Sequence, residues 1–185
     1  MASGLDHLLD GYVREIPDYP APGVLFRDIG PLLARPDGLA AVVAGFADAV
    51  ADLDVQVVAG IESRGFLLAA PLALRLGVGL VPLRKVGKLP PPTWQTDYEL
   101  EYGTATLELS QLALLPKSRV LIVDDVLATG GTAAAAIDLL RQADAQIVGL
   151  LVLLELVALG GRAALAGSAV SAHVPVEACR RVGAP

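Results

Sequence analysis

Cysteine is almost missing from this chain: Cys179 is the only one in 185 residues. An intrachain disulfide is thereby excluded and a reducing compartment expected, with Cys179 read by default as a structural thiol. No long basic run is present either, and the net charge is −6, which leaves a nucleic-acid surface with little support. The opening residues 1–14 have neither a basic start nor a long apolar core, so no secretory signal is expected. The longest apolar segment, 147–160, is too short to span a bilayer and carries Glu155. There is no internal repeat or low-complexity linker, so a split into two domains is not expected. No lysine follows the glycines near residue 130, which removes the lysine-bearing phosphate loop and ATP hydrolysis of that type. Together these absences lead to the expectation of a soluble, cytoplasmic protein.

Apolar residues make up 54% of the chain and charged ones 18%, the balance of a chain that buries a sizeable core. The excess is largely alanine, leucine and valine, which suits buried parallel strands under covering helices. The most informative stretch is Val120–Thr132, reading Val-Leu-Ile-Val-Asp-Asp-Val-Leu-Ala-Thr-Gly-Gly-Thr. Four aliphatic residues predict a strand covered on both faces, and the alanine-rich run 133–142 predicts a helix after a tight turn. Ligands of an open parallel sheet sit beyond the carboxyl ends of its strands.

Glycines at 130 and 131 allow close backbone approach, and free N–H groups at the helix start favour an anion. Thr129 and Thr132 add hydroxyl donors, while Asp124 and Asp125 can accept hydrogen bonds from a polyol. Phosphate beside a vicinal diol describes a ribose 5-phosphate. A lone Asp-Asp or Gly-Gly would more often serve the turn or end the strand in water; the ordered set favours a site. The stretch resembles the phosphoribosyl pyrophosphate signature of the type I phosphoribosyltransferases. That resemblance implies an α/β fold of that type: a mostly parallel central sheet flanked by helices, with an N-terminal hood segment and a mobile β flap. It also implies a single domain, with residues 1–35 as hood and 88–103 as flap.

Toward the amino terminus, Leu5, Leu8, Leu9, Tyr12 and Val13 recur at helical spacing. Pro17, Pro20 and Pro22 then forbid regular helix and favour an extended, rigid path through Leu25-Phe26-Arg27. On its own Phe26 reads as a core anchor and Arg27 as a surface charge. However, Tyr-Pro-Ala-Pro-Gly-Val-Leu-Phe-Arg-Asp-Ile (19–29) is similar to the hood of the adenine phosphoribosyltransferases. By that resemblance Phe26 stacks on adenine, the backbone at Leu25 and Arg27 reads the ring edge, and Leu156 packs on its opposite side.

Residues 36–52 read as a helix and 55–61 as a buried strand. Glu62-Ser63-Arg64-Gly65-Phe66 follows, repeating the strand, turn and helix pattern of Val120–Thr132. This turn resembles the family's pyrophosphate loop. Ser63 and the bidentate Arg64 suit a diphosphate, and a strained peptide is implied near Glu62-Ser63. After a strand over 78–83 come Arg84, Lys85 and Lys88, three cations in five residues. Such a run is usually solvated; its match to the adenine enzymes implies counter-charge for the diphosphate, a role open to action across a dimer interface. Residues 89–101 are polar and proline-rich, and read as a mobile flap leading into a strand over 102–109. By the same resemblance Glu101 faces the purine as a proton acceptor. A further strand is expected over 146–154.

The activity implied is transfer of a 5-phosphoribosyl group from phosphoribosyl pyrophosphate to adenine, giving AMP and pyrophosphate in purine salvage. Asp124 and Asp125 would hold the ribose, and Ala128, Thr129, Gly130, Gly131 and Thr132 the 5-phosphate. Mg²⁺ would arrive mainly on the pyrophosphate, with no dedicated protein cage. A homodimer is implied, with neither nucleic acid nor membrane as partner. The rivals are a regulator that senses the same sugar diphosphate and a transferase for another base. The flap and hood segments favour the adenine enzyme.

Overall fold

The computed structural model describes residues 2–100, 103–169, 171 and 173–183. Two compact units emerge, 1–48 and 49–185.

In the amino-terminal unit the periodic leucines form helix α1 (Ala2–Tyr12), where Leu9 is buried. The proline-rich stretch is a hairpin and not one extended run. Strand β1 (Arg14–Pro17) pairs antiparallel with β2 (Leu25–Asp28), from Arg14 opposite Asp28 to Pro17 opposite Leu25. The prolines lie at the end of β1 and in the connection, where a missing N–H costs no ladder hydrogen bond. Asp18 accepts from the Gly23 N–H at 2.7 Å and helps close the turn. A short helix α2 (Gly30–Leu33) and the longer α3 (Pro36–Ala49) follow, α3 burying Val42 and Phe46.

The second unit is built on a seven-stranded sheet. Its strands in chain order are β3 (Val57–Ile61), β4 (Gly79–Lys85), β5 (Thr93–Leu100), β6 (Gly103–Ser110), β7 (Arg119–Leu127), β8 (Gln146–Leu156) and β9 (Val176–Val182). Their spatial order is β5-β6-β4-β3-β7-β8-β9. The run β4-β3-β7-β8-β9 is parallel, and the β5–β6 hairpin joins antiparallel at the β4 edge. Helix α4 (Arg64–Leu76) connects β3 to β4, and α5 (Gly131–Gln142) connects β7 to β8. These crossovers run outward in opposite directions from the β3–β7 pair. Right-handed crossovers then place α4 and α5 on opposite faces. Alternating burial agrees: Ala59, Ile61, Val120 and Ile122 share a core with Ala136, Ile137 and Leu140 of α5. Val58, Leu121 and Val123, of the other parity, are equally buried. Both faces being covered is why these strands read as unbroken aliphatic runs.

One segment differs from the expectation. Residues 93–100 are strand, paired with β6 along its whole length. Trp94, Thr96 and Tyr98 point inward in alternation with exposed Gln95 and Asp97. The tail, beyond a short helix α6 (Gly161–Gly167), supplies the edge strand β9 beside β8. No helix among the described residues is long and apolar enough to cross a membrane.

Ile122 sits fully buried in the centre of the sheet. Ile122→Ala is expected to lower unfolding free energy by about 2–5 kcal/mol, read from urea unfolding curves. A loss below about 1 kcal/mol would contradict the close packing described for both faces.

Candidate active site

Strands β3 and β7 are neighbours whose crossovers diverge, so the crevice at their carboxyl ends is the sheet's topological switch point. In parallel register, Val57 to Gly60 lie beside Val120 to Val123. The residues that follow, Glu62-Ser63-Arg64 and Asp124-Asp125, consequently leave the sheet at the same end. Arg64 Nη2 meets Asp125 Oδ2 at 2.9 Å, joining the two turns directly. The approach is tight, because a Cβ on Gly65 would come within 2.8 Å of the Val123 carbonyl and 2.9 Å of Asp124 Oδ1. Only glycine lets the start of α4 sit this close to β7. The Glu62–Ser63 peptide is cis.

Asp124 is half-buried and Asp125 buried at 5% exposure. The Asp124 carboxyl accepts the Asp125 N–H at 2.9 Å. Burial pushes Asp124 well above the usual carboxylate range, and the charge of Asp125 pushes the same way against a weaker pull from Arg64. Asp125 is also raised by burial, with Arg64 opposing.

Beyond these carboxylates the chain turns through Ala128–Gly130 into α5, with Gly130 at φ 92° as its cap. This left-handed conformation is costly for any residue with a Cβ. Gly130 also faces Gly161, whose carbonyl would lie 2.9 Å from an added Cβ. A cavity of about 60 Å³ opens here, lined by Asp124, by the whole loop Ala128-Thr129-Gly130-Gly131-Thr132 and by Val152 of β8. One acidic group and the amide-bearing start of a twelve-residue helix thus share a single space. The hairpin reaches the same loop: burial raises the Tyr98 phenol, and the neighbouring Thr132 side chain pulls the other way. Thr96 donates to Asp138 at 2.9 Å, and Gln142 donates to Thr96 at 2.7 Å, fastening β5 to α5.

Arg84 and Lys88 converge on the Glu62 side of the crevice, where both pair with the Glu62 carboxylate. The Lys85 side chain is exposed, while its backbone N–H donates to Glu62 at 2.9 Å. Ser63 is exposed immediately before α4. Leu156 ends β8 half-buried, one residue past Glu155, whose carboxylate is gripped by Arg162 at 2.7 Å and Arg181 at 3.2 Å. Leu25, Phe26 and Arg27 belong to the amino-terminal unit. There Phe26 meets Tyr19 edge-on at 5.2 Å, and Arg27 pairs with Glu15 at 3.0 Å. Glu101 lies outside the described residues. No group of three or more His, Cys, Asp or Glu side chains is placed to hold a metal among the described residues.

The sequence pattern left Glu62, Gly65, Tyr98 and Gly161 unassigned. Gly161 did carry a signal, as the second of a Gly-Gly pair opening a helix. The Glu62 partners lie 22 to 26 residues away, beyond the reach of any local pattern.

A parallel sheet with a paired carboxylate and an anion-ready helix start at its switch point is a layout suited to a sugar phosphate. The family model for the phosphoribosyl transferase domain matches residues 33–164. Adenine phosphoribosyltransferase of Thermobifida fusca is 56% identical over 166 residues, 90% of this chain and 94% of that protein. The crystal structure of adenine phosphoribosyltransferase from Rhodothermus marinus superposes with a TM-score of 0.89 at 43% identity, covering 98% of this chain and 100% of that one. The Saccharomyces cerevisiae adenine phosphoribosyltransferase, solved with an imino-altritol bisphosphate and adenine, gives a TM-score of 0.88 at 36% identity, covering 97% and 100%. The chain belongs to the phosphoribosyltransferases, and within them to the adenine phosphoribosyltransferase family.

A raised carboxyl has a cost that can be measured. Between its ordinary value of 3.8 and its raised folded value, Asp124 holds a proton in the folded state that the unfolded chain releases. Stability therefore falls as pH rises through that window. Ligand-free Asp124→Asn is expected to melt higher than the parent at pH 7 and to lose that advantage below the ordinary carboxyl range. A lower melting temperature at pH 7 would refute the assignment of a raised, destabilising carboxyl.

Proposed function

We propose that this protein transfers the 5-phosphoribosyl group of phosphoribosyl pyrophosphate to adenine, releasing AMP and pyrophosphate. The observation that carries the reading is the shared cavity, where Asp124 meets the loop Ala128–Thr132 beside the Arg64–Asp125 pair. The first turn of α5, with the hydroxyls of Thr129 and Thr132, holds the 5-phosphate. Asp124 and Asp125 accept hydrogen bonds from the ribose hydroxyls. Breaking the bond from C1 to the leaving oxygen puts positive charge on the sugar, comparable to glycoside cleavage, and the two carboxylates favour that charge. The raised Asp124 carboxyl suits this work, because a cationic sugar restores the charge that burial disfavours.

Ser63, Arg64, Arg84, Lys85 and Lys88 receive the diphosphate. Remote binding of both phosphate groups orients the reacting carbon. The donor set is compatible with Mg²⁺ carried on the diphosphate, since the nearby protein oxygens are few and Asp125 is already tied to Arg64. When bound, the ion would neutralise charge on the leaving group. Leu25, Phe26 and Arg27 are assigned to adenine, with Leu156, on the strength of the hood resemblance. Glu101 is assigned the proton lost from the base on the same ground. The hairpin β5–β6 carries the flap role of excluding water from the activated sugar. A cytoplasmic homodimer completes the reading; Leu67 and Leu74, seven residues apart on α4 and 55% and 85% exposed, supply apolar surface for an interface.

Incubation with phosphoribosyl pyrophosphate, Mg²⁺ and each base in turn is expected to yield nucleotide with adenine well ahead of hypoxanthine, guanine, xanthine or orotate. Nucleotide formed faster with another base would overturn the substrate, and none formed with any would overturn the activity. Phe26→Ala is expected to raise KM for adenine about tenfold or more, the scale of a lost ring contact, while KM for the sugar donor stays within about twofold. Equal effects on both substrates would remove the stacking role.

A further inference from the structure

Arg84 and Lys88 are among the cations assigned to the leaving diphosphate, yet long basic side chains on a strand end have many rotamers. What fixes them is a carboxylate beneath. Glu62 has a side-chain exposure of 8% and lies where β3 leaves the sheet, next to β4. Its Oε1 accepts from Lys88 Nζ at 2.5 Å. Its Oε2 accepts from the Lys85 N–H at 2.9 Å and from Arg84 Nε at 3.4 Å. Burial alone would raise this carboxyl, but Lys88, the Lys85 N–H and Arg84 together hold it at about 2, so it stays ionised at any working pH.

The geometry has a direction. Arg84 turns its Nε edge toward Glu62, and its Nη1 donates to the Lys88 carbonyl at 3.3 Å. A second buried carboxylate, Glu108 at 2% exposure, accepts the N–H groups of Lys88 and Leu89, each at 2.7 Å. The turn 84–89 is thus pinned from below through both its side chains and its backbone. An ammonium has three N–H donors and engages Glu62 with one, so donors remain for an incoming anion.

We propose that Glu62 is a positioning residue for pyrophosphate. It holds Arg84 and Lys88 at the mouth of the crevice in the orientation that receives the diphosphate, without itself touching substrate. The inference rests on the reading of the Arg84–Lys88 cluster as the diphosphate site. It adds that affinity for this group depends on a buried anion, although an anion would ordinarily repel it. Fixing two flexible cations beforehand removes an ordering cost that binding would otherwise bear.

Calorimetric titration with inorganic pyrophosphate plus Mg²⁺, and separately with AMP, tests this on Glu62→Gln, Glu62→Asp, Lys88→Ala and the parent. Glu62→Gln is expected to bind pyrophosphate about tenfold or more weakly, the scale of a lost charge-assisted hydrogen bond, with AMP affinity within about twofold of the parent. Glu62→Asp, which keeps the charge on a shorter stem, is expected to fall between Gln and the parent. Parent-like pyrophosphate binding by Glu62→Gln, with Lys88→Ala weakened, would sink the positioning role and leave the cluster reading intact. Unchanged pyrophosphate affinity in Lys88→Ala would overturn the cluster reading and this proposal with it. Equal losses for pyrophosphate and AMP in both Glu62 variants would reduce Glu62 to a structural ion pair and overturn the proposal.

Discussion

Parallel pairing of β3 with β7 is the constraint from which the site follows. Two adjacent strands pointing the same way deliver their terminal residues to one edge of the sheet. Their crossovers leave in opposite directions, so no helix fills the gap between them. Into that gap come a guanidinium from one turn and a carboxylate pair from the other, at hydrogen-bonding distance across it. Gly65 sets the spacing, since its missing side chain is the clearance between α4 and the β7 strand end. Hydrophobic burial on both faces keeps the register, and the register keeps the charges together.

Charges in this crevice are held in two different ways. Asp124 and Asp125 are desolvated beside each other with a single close guanidinium, which leaves them short of positive charge. Glu62 is likewise buried but surrounded by donors, which pull its carboxyl to about 2. In the proposed reaction the first arrangement would favour a cation arriving on the sugar, and the second would present cations to a leaving anion. Opposite electrostatic tasks are met within one crevice by the number of donors around each carboxylate.

Much of this could be read from the letters, for a physical reason. The aliphatic run 120–123, the paired aspartates and the Thr-Gly-Gly-Thr turn are contiguous, so one strand–turn–helix unit carries most of the residues proposed for the phosphate and the ribose. Long-range pairings were not legible. Nothing local to Glu62 announces that its partners are Arg84 and Lys88, because only the β3–β4 register brings them together. The inner face of β5 was legible in principle, with Trp94, Thr96 and Tyr98 alternating against polar residues, but flanking prolines masked the period. The edge strand β9 is half-buried, with Arg180 and Arg181 inside it, and such a strand gives a weak hydrophobic signal.

The meeting of Gly130 and Gly161 restricts what the phosphate loop can become. The Gly161 carbonyl fills the volume that a side chain at 130 would need, and the Ala128 carbonyl with the Gly130 N–H fills that of a side chain at 161, so neither position can be varied without displacing the facing segment. Tuning of this enzyme by substitution is therefore channelled away from the turn proposed to hold the sugar's phosphate. The freedom lies in the exposed positions of the β5–β6 hairpin and of the amino-terminal unit, where side chains can change while the anchor stays still.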